Sequence, residues 1–348
     1  MIKARQRGSV IVVTLWTIIL LTILITVIAG QIRLSSRAAL YHQEELNDWA
    51  AVISAINQGE MELMLERMPR PPESLDDLDE INRNPLFKFN GQLLELNYPA
   101  REGIAVRIYD HAGKINLREI GRPRMRALLE KLLGEDADTE IDELIAAWGD
   151  WVDLNNNAGI NGAEAEYYES LDTPFIPRNG KLETVEEILH IRGFDEVFAD
   201  IDLNAAFTLY TDEELINLNL ATVEAMQLLP GLDDELIGEI LAFRQNNEFR
   251  GNGDIAQIVP AENMAELRPW LNSRRTSNFY TILAYKKQVS EEYPFENDEL
   301  IEVDVSTTAF AEIVSISSAT SRPTILKVNP YQNIPVRPTV RIDDEFLE

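Results

Sequence analysis

The chain has 348 residues, 45% of them hydrophobic, and 59 acidic residues against 31 basic ones give a formal net charge of −28. This composition supports a packed core over about two domains and excludes a disordered chain. An acidic surface repels phosphate backbones, so we expect no nucleic-acid partner. There is no cysteine and there are only three widely spaced histidines, which excludes disulfides and thiolate sites and argues against zinc enzymes and Ser-His-Asp hydrolases.

The amino terminus predicts a membrane span. Residues 1–8 contain basic side chains and no acid, and an almost wholly apolar, uncharged run follows over 10–29. Twenty such residues cross about 30 Å of hydrocarbon as a helix. Because an acidic body follows the span, the positive-inside rule predicts a cytoplasmic N terminus and an external body. A cleaved signal peptide is the alternative, but the run is long for one and Ala29-Gly30-Gln31 is a weak cleavage site.

The helical pattern continues beyond the span as an amphipathic stripe. Leu46, Trp49, Ile53 and Ile56 recur at three- and four-residue steps, and polar residues occupy the other faces. A group of prolines then ends the pattern. The sequence therefore predicts one helix over about 9–68.

A short basic leader that ends in glycine, followed by an uncharged span and an amphipathic helix, resembles the N terminus of type IV prepilins and pseudopilins. The resemblance implies that a prepilin peptidase cuts between Gly8 and Ser9 and that the new N terminus is methylated. Most members of the family have a glutamate at the fifth mature position, which is Val13 here. The K-type minor pseudopilin is the one that usually lacks it. A carboxylate at that depth is costly unless a neighbour's amine pairs with it, so a subunit with no neighbour above it does not need one.

The body has the pattern of a sheet interrupted by helices. Residues 103–117 alternate apolar and polar around a turn at 110–113, which predicts a β-hairpin. Helical patterns then occupy the chain up to about residue 270, and strand patterns return after Ser277, which predicts an α/β domain with a helical insertion. The predicted helices are 125–133, 141–151, 185–191, 221–229 and 234–243, and the predicted later strands are 279–285, 300–305, 312–316 and 324–328.

The insertion contains two similar phrases, LETVEEILHIRGF at 182–194 and LATVEAMQLLPGL at 220–232. They look like a tandem pair of helix-hairpin-helix or SAM-like units. In DNA-binding proteins such turns offer backbone amides to phosphates. Because the insertion is rich in acidic residues, compact helical packing is the preferred interpretation.

Four short motifs resemble those of the K-type minor pseudopilins of type II secretion, the general secretion pathway protein K family. They are HAGKINL at 111–117, DWVD at 150–153, GAEAEYY at 162–168 and INLNLA at 216–221. The resemblance implies an α/β (α+β) fold class: a type IV pilin-like long N-terminal helix plus an antiparallel sheet, with an inserted all-helical SAM-like or helix-hairpin-helix-like domain. The implied parts are a leader (1–8), the transmembrane (9–30) and periplasmic (31–68) parts of the helix, the sheet domain (69–118 and 276–348) and the insertion domain (119–275).

The insertion also contains a candidate calcium loop. Asp153, Asn155 and Asn157 stand at alternate positions and Glu164 at position twelve, which is the ligand spacing of an EF-hand with its turn glycine displaced by one residue. Hard oxygen donors suit calcium and not zinc. On spacing alone, a helix-capping Asn/Gly-rich turn is an equally good interpretation. The family resemblance favours calcium, because K-type pseudopilins bind it in this insertion, and Asp150 one turn back could add a ligand.

The favoured hypothesis is a structural protein, a minor pseudopilin at the tip of the type II secretion pseudopilus that initiates assembly and supports protein export across the outer membrane. In this hypothesis, other minor pseudopilins bind to Leu46, Trp49, Ile53 and Ile56, and the major pseudopilin is added below. The chain is then a single-pass inner-membrane protein with a periplasmic body. The alternative is a tip or minor pilin of a related type IV pilus or competence system that acts as a binding module. A membrane-anchored extracellular enzyme ranks third, because no pair of acids has a diagnostic catalytic spacing.

Overall fold

The computed structural model describes residues 9–68, 87–211, 213–272, 275–287 and 309–330. The leader, the predicted strand at 300–305 and the last 18 residues lie outside the described residues. The helices are α1 (Ser9–Glu66), α2 (Arg122–Leu133), α3 (Asp138–Val152), α4 (Ala165–Glu169), α5 (Phe194–Val197), α6 (Leu203–Ala206), α7 (Val223–Leu228), α8 (Asp234–Asn246), α9 (Asn252–Ile255) and α10 (Ala261–Leu267). The strands are β1 (Asn90–Leu93), β2 (Ile104–Asp110), β3 (Ile115–Asn116), β4 (Phe207–Thr208), β5 (Ile216–Asn217), β6 (Leu271–Asn272), β7 (Phe279–Lys286), β8 (Ala309–Ser315) and β9 (Thr324–Asn329).

Helix α1 is continuous over 58 residues, about 87 Å at 1.5 Å per residue, and it confirms the predicted long N-terminal helix. Residues 11–47 are all exposed, whereas the last part of the helix packs on the sheet through Val52, Ala55 and Leu63. At Gly59 the helix comes so close to the sheet that a Cβ would lie 2.7 Å from Cγ2 of Ile282. The two ends of one helix therefore have different surroundings, one bare and one covered by the sheet.

The sheet has five strands in the order β1-β2-β7-β8-β9, and every neighbouring pair is antiparallel. Because side chains alternate between the two faces of a strand, residues such as Ile108 and Val314 face α1, whereas Tyr109 and Ile313 face the helical insert. The mixed α/β fold class with a long helix and an antiparallel sheet is confirmed.

The predicted β-hairpin over 103–117 is wrong. Strand β2 pairs with β1 and β7, and after Asp110 the chain makes a short 3-10 turn and leaves the sheet. The carboxylate of Asp110 accepts hydrogen bonds from the backbone N–H of Ala112 (2.8 Å) and of Ser277 (3.0 Å), which ties the start of the insert to its end. Apolar alternation identified a strand here, but its second partner comes from about 170 residues further along the chain.

The insert between β2 and β7 is predominantly helical and has the larger of the two main hydrophobic cores. It is not wholly helical as expected, since two-residue parallel ladders join β3 to β4 and β5 to β6. The two repeated phrases share one local course: a helical segment, a glycine with φ of 78°, at Gly193 and Gly231, and the start of another helix. A positive φ of this size is costly for a residue with a Cβ, so the shared glycine sets the shared turn.

Candidate metal centre

The candidate metal centre lies where α3 ends. Helix α3 brings Asp150 to its last turn and Asp153 to its C-cap, and no basic residue occupies that turn. Carbonyl groups give a helix C terminus a partial negative charge, so acids are unfavourable there. The chain then loops out and returns at Glu164, the N-cap of α4. Three acidic residues therefore lie at a helix C terminus whose own partial charge is negative.

The structure brings three carboxylates together at this point. One oxygen from each of Asp150, Asp153 and Glu164 lies within 4.8 Å of the others. Ligands of one calcium ion, at about 2.3–2.6 Å from it, lie at most about 5 Å apart. No lysine or arginine forms an ion pair with these three carboxylates among the described residues. The geometry and the charge therefore both suit a hard cation.

Glu164 is the least satisfied member of the cluster. Its side chain belongs to a residue that is only 4% exposed, and neither carboxylate oxygen has a hydrogen-bond partner within the described part of the chain. Burial, together with the charges of Asp150 and Asp153, raises the pKa of Glu164. Weak contacts with the N–H of Ala165 and the side chain of Asn179, which do not reach hydrogen-bond geometry, oppose this shift in pKa. A buried carboxylate without partners is costly, and a bound cation would remove that cost.

Backbone contacts hold the loop around the cluster. Asp150 accepts two hydrogen bonds from the N–H of Gly159, at 3.0 and 3.2 Å. A Cβ at Gly162 would overlap Oδ2 of Asp150, so only glycine allows the chain to pass there. The Asp153 carboxylate accepts a hydrogen bond from the N–H of Asn155 at 2.9 Å. These contacts tie the loop to two of the three carboxylates.

The two predicted asparagine ligands differ from the carboxylates in burial. Asn155 and Asn157 are exposed on the loop, and Oδ1 of Asn155 accepts a hydrogen bond from the N–H of Asn157 at 2.8 Å. This is the capping geometry that the alternative interpretation expected. Tyr168, four residues after Glu164, is fully buried, and its ring meets that of Trp151 edge-on.

Two residues that sequence reasoning missed support the loop from behind. Arg192 donates to the carbonyl oxygens of Gly162 (3.0 Å) and Asn161, and its guanidinium lies 5.4 Å from the ring centre of Tyr167. Asn179 donates to the carbonyl oxygen of Asn155 at 2.8 Å. Both come from segments 20 to 30 residues downstream, so the local spacing gave no signal for them.

The four predicted partner-binding residues of α1 have different surroundings. Ile56 is 3% exposed and belongs to the core between helix and sheet, so its side chain is not available to a partner in this structure. Trp49 is half-buried and meets the ring of Phe310 edge-on at 6.2 Å. Leu46 and Ile53 are 69% and 45% exposed. Only the last two lie fully on the surface.

The N-terminal half of α1 is long and apolar enough to cross a membrane. Large aliphatic side chains from Ile11 to Ile28 are 42–70% exposed. The predicted cleavage site lies at the boundary of the described residues: α1 begins at Ser9, and Gly8 is outside them. The cleavage itself stays a prediction.

A long helix that is apolar at one end and packs on an antiparallel sheet at the other is the architecture that the resemblance to pilins implies, here with a large helical insert. Residues 106–200, which include the carboxylate cluster, match the family model described as type II secretion system (T2SS), protein K. Over 95 residues the chain is 33% identical to type II secretion system protein K of Pectobacterium carotovorum subsp. carotovorum. The matched region is 27% of this chain and 29% of that relative.

A solved structure shows the same fold. The chain is similar to one in the crystal structure of the GspK-GspI-GspJ complex from the enterotoxigenic Escherichia coli type 2 secretion system, with a TM-score of 0.50 and 15% identity. The likeness covers 86% of this chain and 99% of that one. The comparisons confirm the resemblance to the K-type minor pseudopilins: residues 106–200 match the protein K family model, and the solved structure has a similar fold.

Proposed function

We propose that this chain is a minor pseudopilin at the tip of a type II secretion pseudopilus, where it initiates assembly and supports protein export across the outer membrane. The observation that carries the proposal is the protein K domain of residues 106–200 inserted into a pilin-like frame. Its role is structural, and the insert is a bulky cap on the sheet. The absence of a glutamate at Val13 agrees with a subunit that has no neighbour above it.

The exposed half of α1 anchors the chain in the inner membrane. Apolar side chains that protrude into water over such a length need a lipid or protein cover. Basic residues precede the span, so the N terminus is cytoplasmic and the sheet and insert are periplasmic. Prepilin peptidase then removes residues 1–8 at the cytoplasmic face.

The partner surface is the exposed face of α1 around Leu46 and Ile53. The protein with the similar fold was solved as a GspK-GspI-GspJ complex, and by analogy other minor pseudopilins bind this chain through their own helices. An amphipathic helix laid along another uses apolar residues at three- and four-residue steps. The major pseudopilin is added below the completed tip, which extracts the helices from the membrane.

The insert binds calcium through Asp150, Asp153 and Glu164. The fit rests on three carboxylates within 4.8 Å of one another and on the unpartnered, 4% exposed Glu164. When bound, calcium neutralises carboxylates that otherwise repel one another and fixes the loop between α3 and α4. Asn155 and Asn157 remain possible further oxygen donors from the exposed side of the loop.

Disulfide cross-linking tests the partner surface. The chain has no cysteine, so Leu46→Cys, Ile53→Cys and Ile56→Cys each introduce its single thiol. Each variant is co-expressed with a minor pseudopilin that has one cysteine on its own N-terminal helix, and membranes are treated with a mild oxidant. We expect a disulfide heterodimer from the two exposed positions and none from the buried control at Ile56.

Two outcomes would argue against the proposed surface. Equal cross-linking from the exposed and the buried positions would mean that α1 leaves its sheet, and cross-linking from neither exposed position would place partners elsewhere. The buried control is matched because Ile53 and Ile56 lie three residues apart on the same helix and differ in exposure, 45% against 3%.

A further inference from the structure

Lys114, from the HAGKINL motif, is buried between the sheet and the insert and has no part in the function described so far. The residue is 4% exposed. Its Nζ donates to the carbonyl oxygen of Asn204 in the insert at 2.7 Å and to Oγ1 of Thr281 on β7 at 3.3 Å. Oγ1 of Thr281 also contacts Nε2 of His111 at 2.9 Å, and Nδ1 of His111 contacts Oγ1 of Thr208 at 2.7 Å. This chain of polar contacts fixes the position of the ammonium group.

The ammonium group of Lys114 has no anionic partner among the described residues. No carboxylate lies within ion-pair distance of its Nζ in the described part of the chain. Two acceptors take two of its three N–H groups, and Nζ also lies 5.6 Å from the ring centre of Tyr109. A buried charge is normally paired. The charged residues that act on it through space are Asp202 and Glu224, which favour the ammonium form, and Lys327, which opposes it. Asp202 also lines the cavity beside Lys114, but its carboxylate already accepts hydrogen bonds from two backbone N–H groups at the start of α6.

A cavity opens beside this ammonium group. Its volume is about 50 Å³, and a site of this kind needs about 10–15 Å³ to hold one water molecule, so a carboxylate with a short carbon chain fits. Lys327 lies at the rim, with its side chain 32% exposed and bound to Glu186 at 2.9 Å. The walls are mostly apolar and come from both domains: Val185, Phe207, Leu209, Leu283, Ala311 and Ile313.

We propose that this cavity binds a monocarboxylate with a short apolar tail, whose carboxylate pairs with Lys114 and whose tail lies on the apolar walls. Small-molecule sites combine apolar walls with a few convergent polar groups in this way. A charge-assisted hydrogen bond from an ammonium to a carboxylate is stronger than one to a neutral acceptor. Free short-chain acids and the C-terminal carboxylate of a peptide with an apolar last residue share this chemistry.

The charge state of the site predicts how binding depends on pH. Burial lowers the pKa of Lys114 to about 8, so the ammonium form prevails at pH 7 and is lost above pH 8. Burial also lowers the pKa of His111 well below its usual range and raises that of Tyr109, so both stay neutral there. Glu186 keeps its charge because Lys327 lowers its pKa against the effect of burial. Binding of a carboxylate should therefore weaken as the pH rises from 7 to 9.

Calorimetric titration of the full-length chain in an uncharged detergent tests the proposal. Butyrate and the neutral butyramide are titrated at pH 7 and pH 9, and acetyl-alanyl-leucine and its C-terminal amide form a second arm that separates free acids from peptide termini. We expect saturable binding of at least one carboxylate, at least tenfold weaker binding of its amide, and weaker binding at pH 9.

Variants separate a ligand site from a purely structural role of Lys114. Lys114→Met removes the charge and keeps most of the bulk, Ala311→Leu fills the cavity and keeps the charge, and Lys181→Met changes an exposed lysine as the matched control. The first two should weaken binding at least tenfold and the control should not. No saturable binding of any carboxylate by the wild type, or equal binding of the carboxylate and its amide, would overturn the proposal even if Lys114→Met failed to fold.

Discussion

The helical insert and the helix–sheet interface both bury a glutamate that has a carboxylate oxygen without a hydrogen-bond partner. The charged residues around the two glutamates differ. In the insert, Glu164 stands with Asp150 and Asp153, and no arginine or lysine forms an ion pair with them within the described ranges. Between α1 and the sheet, Glu60 faces Glu312, both residues are 6% exposed, and each has one oxygen without a hydrogen-bond partner.

The interface pair has an internal cation and the insert cluster does not. Nη2 of Arg322, from the loop between β8 and β9, lies 3.8 Å from Oε2 of Glu60. Burial raises the pKa of both Glu60 and Glu312, Arg322 opposes the shift, and the charge of Glu60 raises the pKa of Glu312 further. Two neighbouring carboxylates can share one proton, and the interface pair also has Arg322 close by. The insert cluster has three carboxylates at a helix C terminus and no such arginine among the described residues, which supports the proposed calcium site there.

Removal of the insert carboxylates should give the largest effect. In the full-length chain in detergent, Asp153→Ala with Glu164→Ala should abolish the rise in melting temperature on calcium addition. A ligand that binds only the folded state stabilises it by about 2.7 kcal/mol at a hundredfold excess over Kd. Magnesium should substitute poorly because it demands a tighter octahedron.

The control for that experiment changes the same number of charges nearby. Glu169→Ala with Asp172→Ala alters two exposed acids and should leave the calcium effect intact. An undiminished calcium effect in the Asp153/Glu164 variant would place the metal elsewhere, and no effect in the wild type would leave only the capping turn.

Neutralisation of one glutamate of the interface pair should have the next largest effect. It should increase stability, whereas removal of the insert carboxylates should remove the stabilisation by calcium. Glu312→Gln removes one of two like charges from a buried site, so we expect a gain of about 1 kcal/mol in the free energy of unfolding at pH 7. Urea unfolding measures it, with the exposed Glu95→Gln as the matched control. A loss of stability would show that the ionised pair, and not a shared proton, stabilises the contact.

The pH dependence of stability distinguishes the two sites without any change of sequence. The folded-state pKa values of Glu60, Glu312 and Glu164 are raised, so these three groups hold more protons in the folded chain than in the unfolded one. Their contribution to stability should therefore rise as the pH falls through the raised pKa values toward 4.5. The lowered pKa of His111 acts in the opposite direction, so the comparison is made between melting curves of the same chain with and without calcium. Saturating calcium should abolish or reverse the contribution of Glu164, since the cation favours the ionised form, and leave that of Glu312 unchanged. Melting curves at pH 7 to 5, with calcium or a chelator, measure this.

The smallest effect is expected at the asparagines of the loop. Asn157→Ala should change the calcium-dependent stabilisation by less than about 0.5 kcal/mol, because this side chain is exposed and carries no charge. Loss of the whole calcium effect in this variant would show that Asn157 is a ligand, as the EF-hand spacing predicts.

Local patterns predicted the elements of this molecule better than their partners. The 3.6-residue periodicity and the apolar run predicted α1, and the spacing of Asp153 and Glu164 predicted two members of the carboxylate cluster, with Asp150 added from helical geometry. The supports from Arg192 and Asn179 went unnoticed, because contacts across 20 to 30 residues leave no local pattern. The hairpin failed for a similar reason, since alternation does not specify which strand is the neighbour.

The amphipathic stripe on α1 shows a further limit of sequence reasoning. Periodicity identifies an apolar face but not whether it is covered by the same chain or by another. The structure assigns Ile56 to the chain's own core and leaves Leu46 and Ile53 exposed. Only the arrangement of the sheet against the last turns of the helix makes that distinction.

The mature N terminus is the measurement that tests the central claim most directly. Mass spectrometry of the full-length chain, purified from cells with and without prepilin peptidase, should find cleavage between Gly8 and Ser9 only when the peptidase is present. An intact N terminus in the presence of the peptidase, or cleavage after Gly30, would contradict the assignment as a pseudopilin.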